Sequence, residues 1–239
     1  MGGQFQTTRW SLIVAAAGTS PEAREALASL CEAYWSPLYA YVRSCGYDTD
    51  QARDLTQSYF LQFLEKDFLK DVSPEHGRFR SFLLASLKHF LSKERIKMRA
   101  LKRGGATFHV DPATAERQYR VELADNLTPE QMFERRWALE VLGRVVRCLR
   151  DEFEAAGRLH QFDKLKPCLM GEESRSYRQL AMDLDMSEAA VKVAVHRLRR
   201  KFGRLLREEI GQTVADRQEV DGEIRYLLSV IGNRRPHHG

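Results

Sequence analysis

Two stretches concentrate the side chains able to do chemistry, and in both the chemistry is contact with an anionic polymer rather than bond-making. Between positions 187 and 207 seven Lys and Arg residues stand against a single acid, Glu188. Val191, Val195, Leu198 and Phe202 recur at i, i+4, i+7 and i+11, the stripe of a helix packed on one side. The opposite surface carries Ala189, Lys192, Val193, His196 and Arg200. Small residues near a helix start let its backbone enter a major groove, and the cations beyond them meet base edges and phosphates. A solvated basic helix end, favoured by the macrodipole, accounts for positions 199–207 taken alone. It does not account for what comes just before. Tyr177–Leu184 reads as a short helix with Leu180, Ala181 and Leu184 inward, and Asp185-Met186-Ser187 reads as a tight turn. Ser187 is placed to cap the next helix, with Glu188 in its positively polarised first turn. The pattern is that of a helix-turn-helix.

The second stretch lies in the N-terminal half. Lys88, Lys93, Arg95, Lys97, Arg99, Lys102 and Arg103 form a cluster in which Glu94 is the only acid. Phe79, Phe82, His89 and Phe90 are interleaved at its start. Cations beside aromatic rings suit single-stranded or melting DNA, because cations track phosphates and rings contact unstacked bases. The helical spacing of Phe79, Phe82, Leu83 and Phe90 assigns most of these rings to a core. That leaves Lys88 and His89 as contacts, with Arg78 and Arg80 available to phosphate.

These residues need helices to position them, and the chain predicts little else. Apolar residues recur at three-and-four spacing almost throughout, and no long alternating run appears, so the expected class is all-α. Ser20-Pro21-Glu22 opens one helix that should stop near Ser36-Pro37, and a second should run to Ser44 and break at Gly46. Thr49 or Asp50 should cap the next, with Leu55, Tyr59 and Phe63 on one face. Positions 79–101 and 129–154 read as long helices, and 221–230 as a last one. The stretch 103–129, with Gly104-Gly105 and two prolines, is the expected linker. The expected organisation is therefore 1–102, a linker at 103–129, a helix-turn-helix domain at 130–212 and an extension at 213–239.

Composition narrows the function classes. Of 239 residues 43% are hydrophobic and 30% charged, an ordinary soluble balance, and the net charge of +5 is only a mild pointer to polyanions. No leader or bilayer-length apolar run is seen, and four widely spaced cysteines without metal spacing fit a reducing cytoplasm. No membrane association, metal or cofactor is expected. There is no GxxxxGK[ST], GxSxG or HExxH, so an enzyme is not expected.

The order of features resembles the sigma-70 family of RNA polymerase sigma factors, in particular its small two-domain extracytoplasmic-function (ECF) members. Leu38-Tyr39-Ala40-Tyr41-Val42 and Ala52-Arg53-Asp54-Leu55-Thr56-Gln57-Ser58-Tyr59-Phe60 resemble the family's region 2. Gly77-Arg78-Phe79-Arg80-Ser81-Phe82-Leu83-Leu84 resembles the start of its promoter-melting helix, and Ser176-Tyr177-Arg178-Gln179-Leu180-Ala181 with Val191-Lys192-Val193-Ala194-Val195-His196-Arg197-Leu198-Arg199 resembles region 4. The match covers roughly residues 25–100 and 135–207. It implies a transcription-initiation factor without catalytic activity, whose partners are core RNA polymerase and promoter DNA. Core polymerase would be met by Gln51, Arg53, Asp54, Gln57 and Phe60. The minus-ten element would be met by Arg78, Arg80, Lys88, His89, Lys93 and Arg95, with a flipped base held by the loop at 67–78. The minus-thirty-five element would be met by Ser187, Glu188, Ala189, Lys192, Val193, His196, Arg197 and Arg200.

The chain departs from that family where it carries Gln51-Ala52-Arg53-Asp54 in place of an acidic pattern. Phosphorylation of Thr49, Thr56 or Ser58 would return about −1.5 to −2 charge to the segment. A Ser/Thr kinase is thus one expected regulator, in place of a sequestering anti-sigma partner, which is the alternative. Asp185 stands where the family's turn usually has Gly. The extension, with Ile224, Leu227, Leu228 and Ile231 on one face, either inhibits by docking on a domain or caps a core. The rival reading is a one-component regulator that binds duplex DNA as a dimer through the same helix-turn-helix.

Overall fold

The computed structural model describes residues 21–64, 78–100, 127–169, 176–214 and 216–232. Among them every regular element is helical. The α-helices are α1 (Pro21–Ser44), α2 (Thr49–Leu64), α3 (Phe79–Ala100), α4 (Pro129–Ala155), α5 (Leu159–Leu165), α6 (Tyr177–Leu184), α7 (Glu188–Gly211) and α8 (Val220–Gly232). A short 3-10 turn at Lys166–Leu169 follows α5, and another at Arg217–Glu219 precedes α8.

The expected stop at Ser36-Pro37 does not occur, and α1 runs through Pro37. A proline inside a helix costs about 3 kcal/mol. Here Ala33, Tyr34, Leu38, Tyr39, Ala40 and Val42 are buried on both sides of it, so tertiary packing outweighs the local penalty. Gly46, at φ +92°, ends the segment as expected. The cap of α2 is Asp48, one residue ahead of the expected Thr49 or Asp50. Its Oδ1 accepts from the Gln51 N–H at 2.8 Å, and Gln51 Oε1 accepts from the Asp48 N–H at 3.4 Å. Thr128 and Gln131 make the same reciprocal box at the start of α4, with Pro129 as the first helical residue.

The chain forms two compact units, Met1–Glu140 with Ile210–Gly239, and Val141–Glu209. The divisions fall inside α4 and α7, unlike the expected boundaries at 103–129 and 212–213. Residues 101–126 lie outside the described set. The first unit draws in the opening turns of α4 because Met132, Phe133 and Trp137 are fully or nearly fully buried. Trp137 Nε1 donates to Tyr34 Oη at 3.1 Å. Around them Tyr34, Tyr59, Phe63 and Phe79 form an aromatic core with edge-on contacts at 5.3 and 6.4 Å. The second unit is built on Leu149, Phe162, Leu165, Leu180, Ala181, Val191, Val195 and Leu198.

Candidate nucleic-acid interface

In the second unit the local chemistry of the turn fixes the angle between α6 and α7. Ser176 Oγ accepts from the Gln179 N–H at 3.2 Å and caps α6. Ser187 Oγ accepts from the Ala190 N–H at 3.2 Å and caps α7. Between them Asp185 adopts φ 49°, ψ 50°, and among the described residues it is the one non-glycine with positive φ. Aspartate tolerates this left-handed conformation better than most residues, so the turn forms without the usual glycine. Burial of Val191, Val195 and Leu198 then fixes the rotation of α7 about its axis. All eight residues expected to read DNA (Ser187, Glu188, Ala189, Lys192, Val193, His196, Arg197 and Arg200) are exposed. Val193, 49% exposed, is an apolar side chain with no core to fill.

The neighbouring cations divide into two sets. Arg199 donates twice to the Cys168 carbonyl, at 3.1 and 2.9 Å, tying α7 to the 3-10 turn. Lys201 pairs with Glu152, Arg204 pairs with Glu208 at 2.8 Å, and Arg207 donates to the Gly203 carbonyl. These cations serve the protein itself. Lys192, 6.0 Å from the centre of the Tyr177 ring, joins an exposed α6 surface of Tyr177, Arg178 and Gln179 that sequence reasoning did not single out. A cavity of about 630 Å³ beside α7 is lined in part by Phe153, Leu165 and Met186, and it shares Ala189, Val193 and Arg197 with this face.

In the first unit α3 divides in the same way. His89, Lys93 and Arg95 are exposed along it, and Ile96 is 66% exposed beside them. Arg95 Nε donates to Tyr47 Oη at 3.0 Å, which holds its guanidinium near the ring. Phe79, Leu83 and Phe90 are core residues, as their spacing predicts. The expectation for Arg80 is corrected: it is buried, not offered to phosphate. Its Nε donates to Glu223 and its Nη1 to Glu134, both at 2.5 Å. The guanidinium lies 4.8 Å from the Trp137 ring and 4.4 Å from the Tyr226 ring. Burial would lower the Arg80 pKa, but the bond to Glu223 and the charges of Glu134 and Glu223 prevail and raise it. Burial pushes the Glu134 carboxyl above the usual range against the pull of Arg80. Arg78 is half-exposed and bonded to Glu223 at 2.9 Å. Lys88, exposed, pairs with Glu130 at 2.7 Å, and that bond holds the Glu130 carboxyl below its usual range. The signal missed in the sequence was Glu130 and Glu134, one turn apart on α4, together with Glu223.

On α2 the expected docking residues separate. Gln51 is exposed, and Arg53 and Asp54 are part-exposed, with Arg53 held by Asp50 at 3.1 Å and Asp54 at 3.8 Å. Gln57 and Phe60 are corrected to interior positions, and Phe60 stacks on Trp35 at 5.8 Å. Leu61, half-exposed, is the apolar side chain on the outer surface that the sequence reading passed over. Of the expected phosphorylation sites, Thr56 is fully buried, with its hydroxyl donating to the Ala52 carbonyl at 2.7 Å. No kinase reaches it in this fold. Ser58 is exposed and Thr49 part-exposed. The loop expected to hold a flipped base, 67–78, lies outside the described residues except for Arg78.

Comparison with known proteins yields no matching family model, no matching curated protein and no matching solved structure. No group of metal-binding side chains occurs among the described residues, and no described helix is long and apolar enough to cross a membrane.

Proposed function

We propose that the chain is an RNA polymerase sigma factor of the ECF type, which binds core polymerase, meets the minus-ten element with the first unit and reads the minus-thirty-five element with α7. The observation that carries this reading is the exposed face of α7. Its apolar stripe is consumed by the core, its flanking cations are consumed by internal bonds, and what remains open is a small-residue start followed by Lys192, Val193, His196, Arg197 and Arg200. That is the composition of a major-groove reading helix. A second exposed cationic helix, α3, favours an initiation factor over a one-component regulator, which needs only the first. Promoter DNA and core polymerase are the partners. Control falls to a Ser/Thr kinase acting at Ser58 or Thr49, or to an anti-sigma protein.

Pull-down of core polymerase with the purified protein, followed by run-off transcription from genomic fragments, tests the proposal. Retention with new start sites supports it. Absence of retention, combined with tight dimeric binding to duplex DNA, replaces it with the one-component regulator. Lys192→Ala is expected to weaken duplex binding across sequences and to lower the salt slope by about 0.9.

A further inference from the structure

The cations of α3 are not equally available. Two of them, Arg80 and Lys88, together with Arg78 just ahead of the helix, are matched by three carboxylates supplied from elsewhere in the chain: Glu223 from α8, and Glu130 and Glu134 from the first turns of α4. His89 and Lys93, between Lys88 and Arg95 on the same helix, have no bonded partner among the described residues. The match is geometric as well as electrostatic. Glu223 is 1% exposed and bridges two guanidiniums, with Oε1 on Arg80 and Oε2 on both Arg78 and Arg80. Tyr226, one turn further along α8, places its ring over Arg80. The backbone joins in, since the first N–H of α3, at Phe79, donates to the Thr213 carbonyl at 3.3 Å. One face of α3 is thus covered by an acidic lid made of α8, the segment leading to it and the start of α4.

A carboxylate paired with an arginine or lysine presents the same acceptor geometry as a phosphate oxygen, and the two exclude each other. We infer that Glu130, Glu134 and Glu223 form an intramolecular acidic mask that competes with nucleic-acid phosphate for Arg78, Arg80 and Lys88. Along this part of α3 the free chain then meets DNA through His89, Lys93 and Arg95, and lifting the mask lengthens the phosphate track toward the start of the helix. This rests on the reading of α3 as a nucleic-acid helix. It adds to that reading a self-inhibited state and names the segment that enforces it. Glu130 and Lys88 form the exposed, easily exchanged edge of the mask, whereas Glu223 with Arg80 is its buried anchor.

The test uses the full chain and a fluorescent single-stranded oligonucleotide, titrated by anisotropy between about 50 and 200 mM salt. Glu130→Gln should tighten binding about two- to five-fold. It should also steepen the dependence of log K on log salt by about 0.7, the contribution of one released cation on single-stranded DNA. Glu223→Gln should do more, since it loosens two guanidiniums, and the double variant should exceed either. Asp163→Asn, the same change in net charge placed on α5 of the other unit, should leave both readouts unchanged. Lys93→Ala and Arg95→Ala should weaken binding in every background. If those two weaken binding while the Glu130 and Glu223 variants match the wild type in affinity and slope, the mask is overturned and the DNA reading stands. If neither Lys93→Ala nor Arg95→Ala matters, the DNA reading of α3 is what falls, and the mask falls with it. Should Glu223→Gln not fold, Glu130→Gln decides alone, because its side chain is half-exposed and its removal opens no cavity.

Discussion

At the scale of single residues, two positions show how much one side chain decides. Asp185 holds the helix-turn-helix turn at a positive φ, where glycine is free of strain and alanine is not. Asp185→Gly is expected to leave stability within about 1 kcal/mol of wild type, the relief of strain being offset by a freer unfolded chain. Asp185→Ala should cost about 1 kcal/mol more than Asp185→Gly, measured as a difference in urea midpoint at equal slope. Thr56 and Ser58 make the second contrast. Two residues apart, they differ completely in surroundings, Thr56 being buried and bonded to Ala52 and Ser58 being exposed. A carboxylate at Thr56 has no partner and no water, so Thr56→Glu should destabilise the first unit by at least about 3 kcal/mol. Ser58→Glu should stay within about 0.5 kcal/mol. Any gain in polymerase retention from an acidic substitution in α2 is therefore expected at Ser58 and not at Thr56, and a folded Thr56→Glu protein with raised retention would reverse that assignment.

At the scale of elements, what was legible in the sequence was what local chemistry dictates. The short helix Tyr177–Leu184, the turn at 185–187 and the cap at Ser187 were all readable, because each rests on contacts within a few residues of itself. The inward stripe of α7 was readable from periodicity, and the exposed opposite face followed from it. Pro37 misled because its penalty is local, while the burial that overrides it comes from other helices. Arg80 misled for the same reason on a longer path. Nothing near it in sequence distinguishes it from Arg78, and its partner Glu223 lies 143 positions away. Phe60 and Gln57 share a helix with Gln51 and Arg53, but only the packing of α1 on α2 shows which side faces in. The caps carry their own test. Ser187→Ala should lower the stability of the second unit by about 1 kcal/mol and let the first turn of α7 fray. On the proposed DNA reading, duplex affinity should fall through the frayed turn that carries Ala189 and Lys192 as well as through the lost Ser187 hydroxyl. An unchanged hydrogen-exchange rate at Ala190 and Val191 would show that the cap does not hold that turn.

At the scale of the whole molecule, the C-terminal extension is part of the first unit rather than an appendage to the second. Residues 210–239 are grouped with 1–140, and α8 contributes Val220, Glu223 and Leu227 to that unit's interior. The sequence left open whether this segment docks on a domain or completes a core. In the structure it does both to one unit, since two aliphatic side chains are buried and a carboxylate neutralises two arginines. Ending the chain after Val214 should therefore cost the first unit more than a surface helix would. Two buried aliphatics at about 1.5–3 kcal/mol each give about 3–6 kcal/mol, before the loss of the Glu223 bonds. The distribution of tryptophan makes the outcome readable. The chain has three, Trp10, Trp35 and Trp137, and none falls between 141 and 209. Tryptophan fluorescence reports the first unit, while far-ultraviolet circular dichroism sums over both. Truncation should move the fluorescence-detected urea midpoint to lower concentration and split it from the dichroism curve. The second unit, whose core of Leu149, Phe162, Val191, Val195 and Leu198 is untouched, should keep its own transition. A truncated chain whose fluorescence midpoint matches the full-length protein would mean that α8 contributes no net stability to the first unit, and its contacts with Arg78 and Arg80 would then serve to occupy those cations alone.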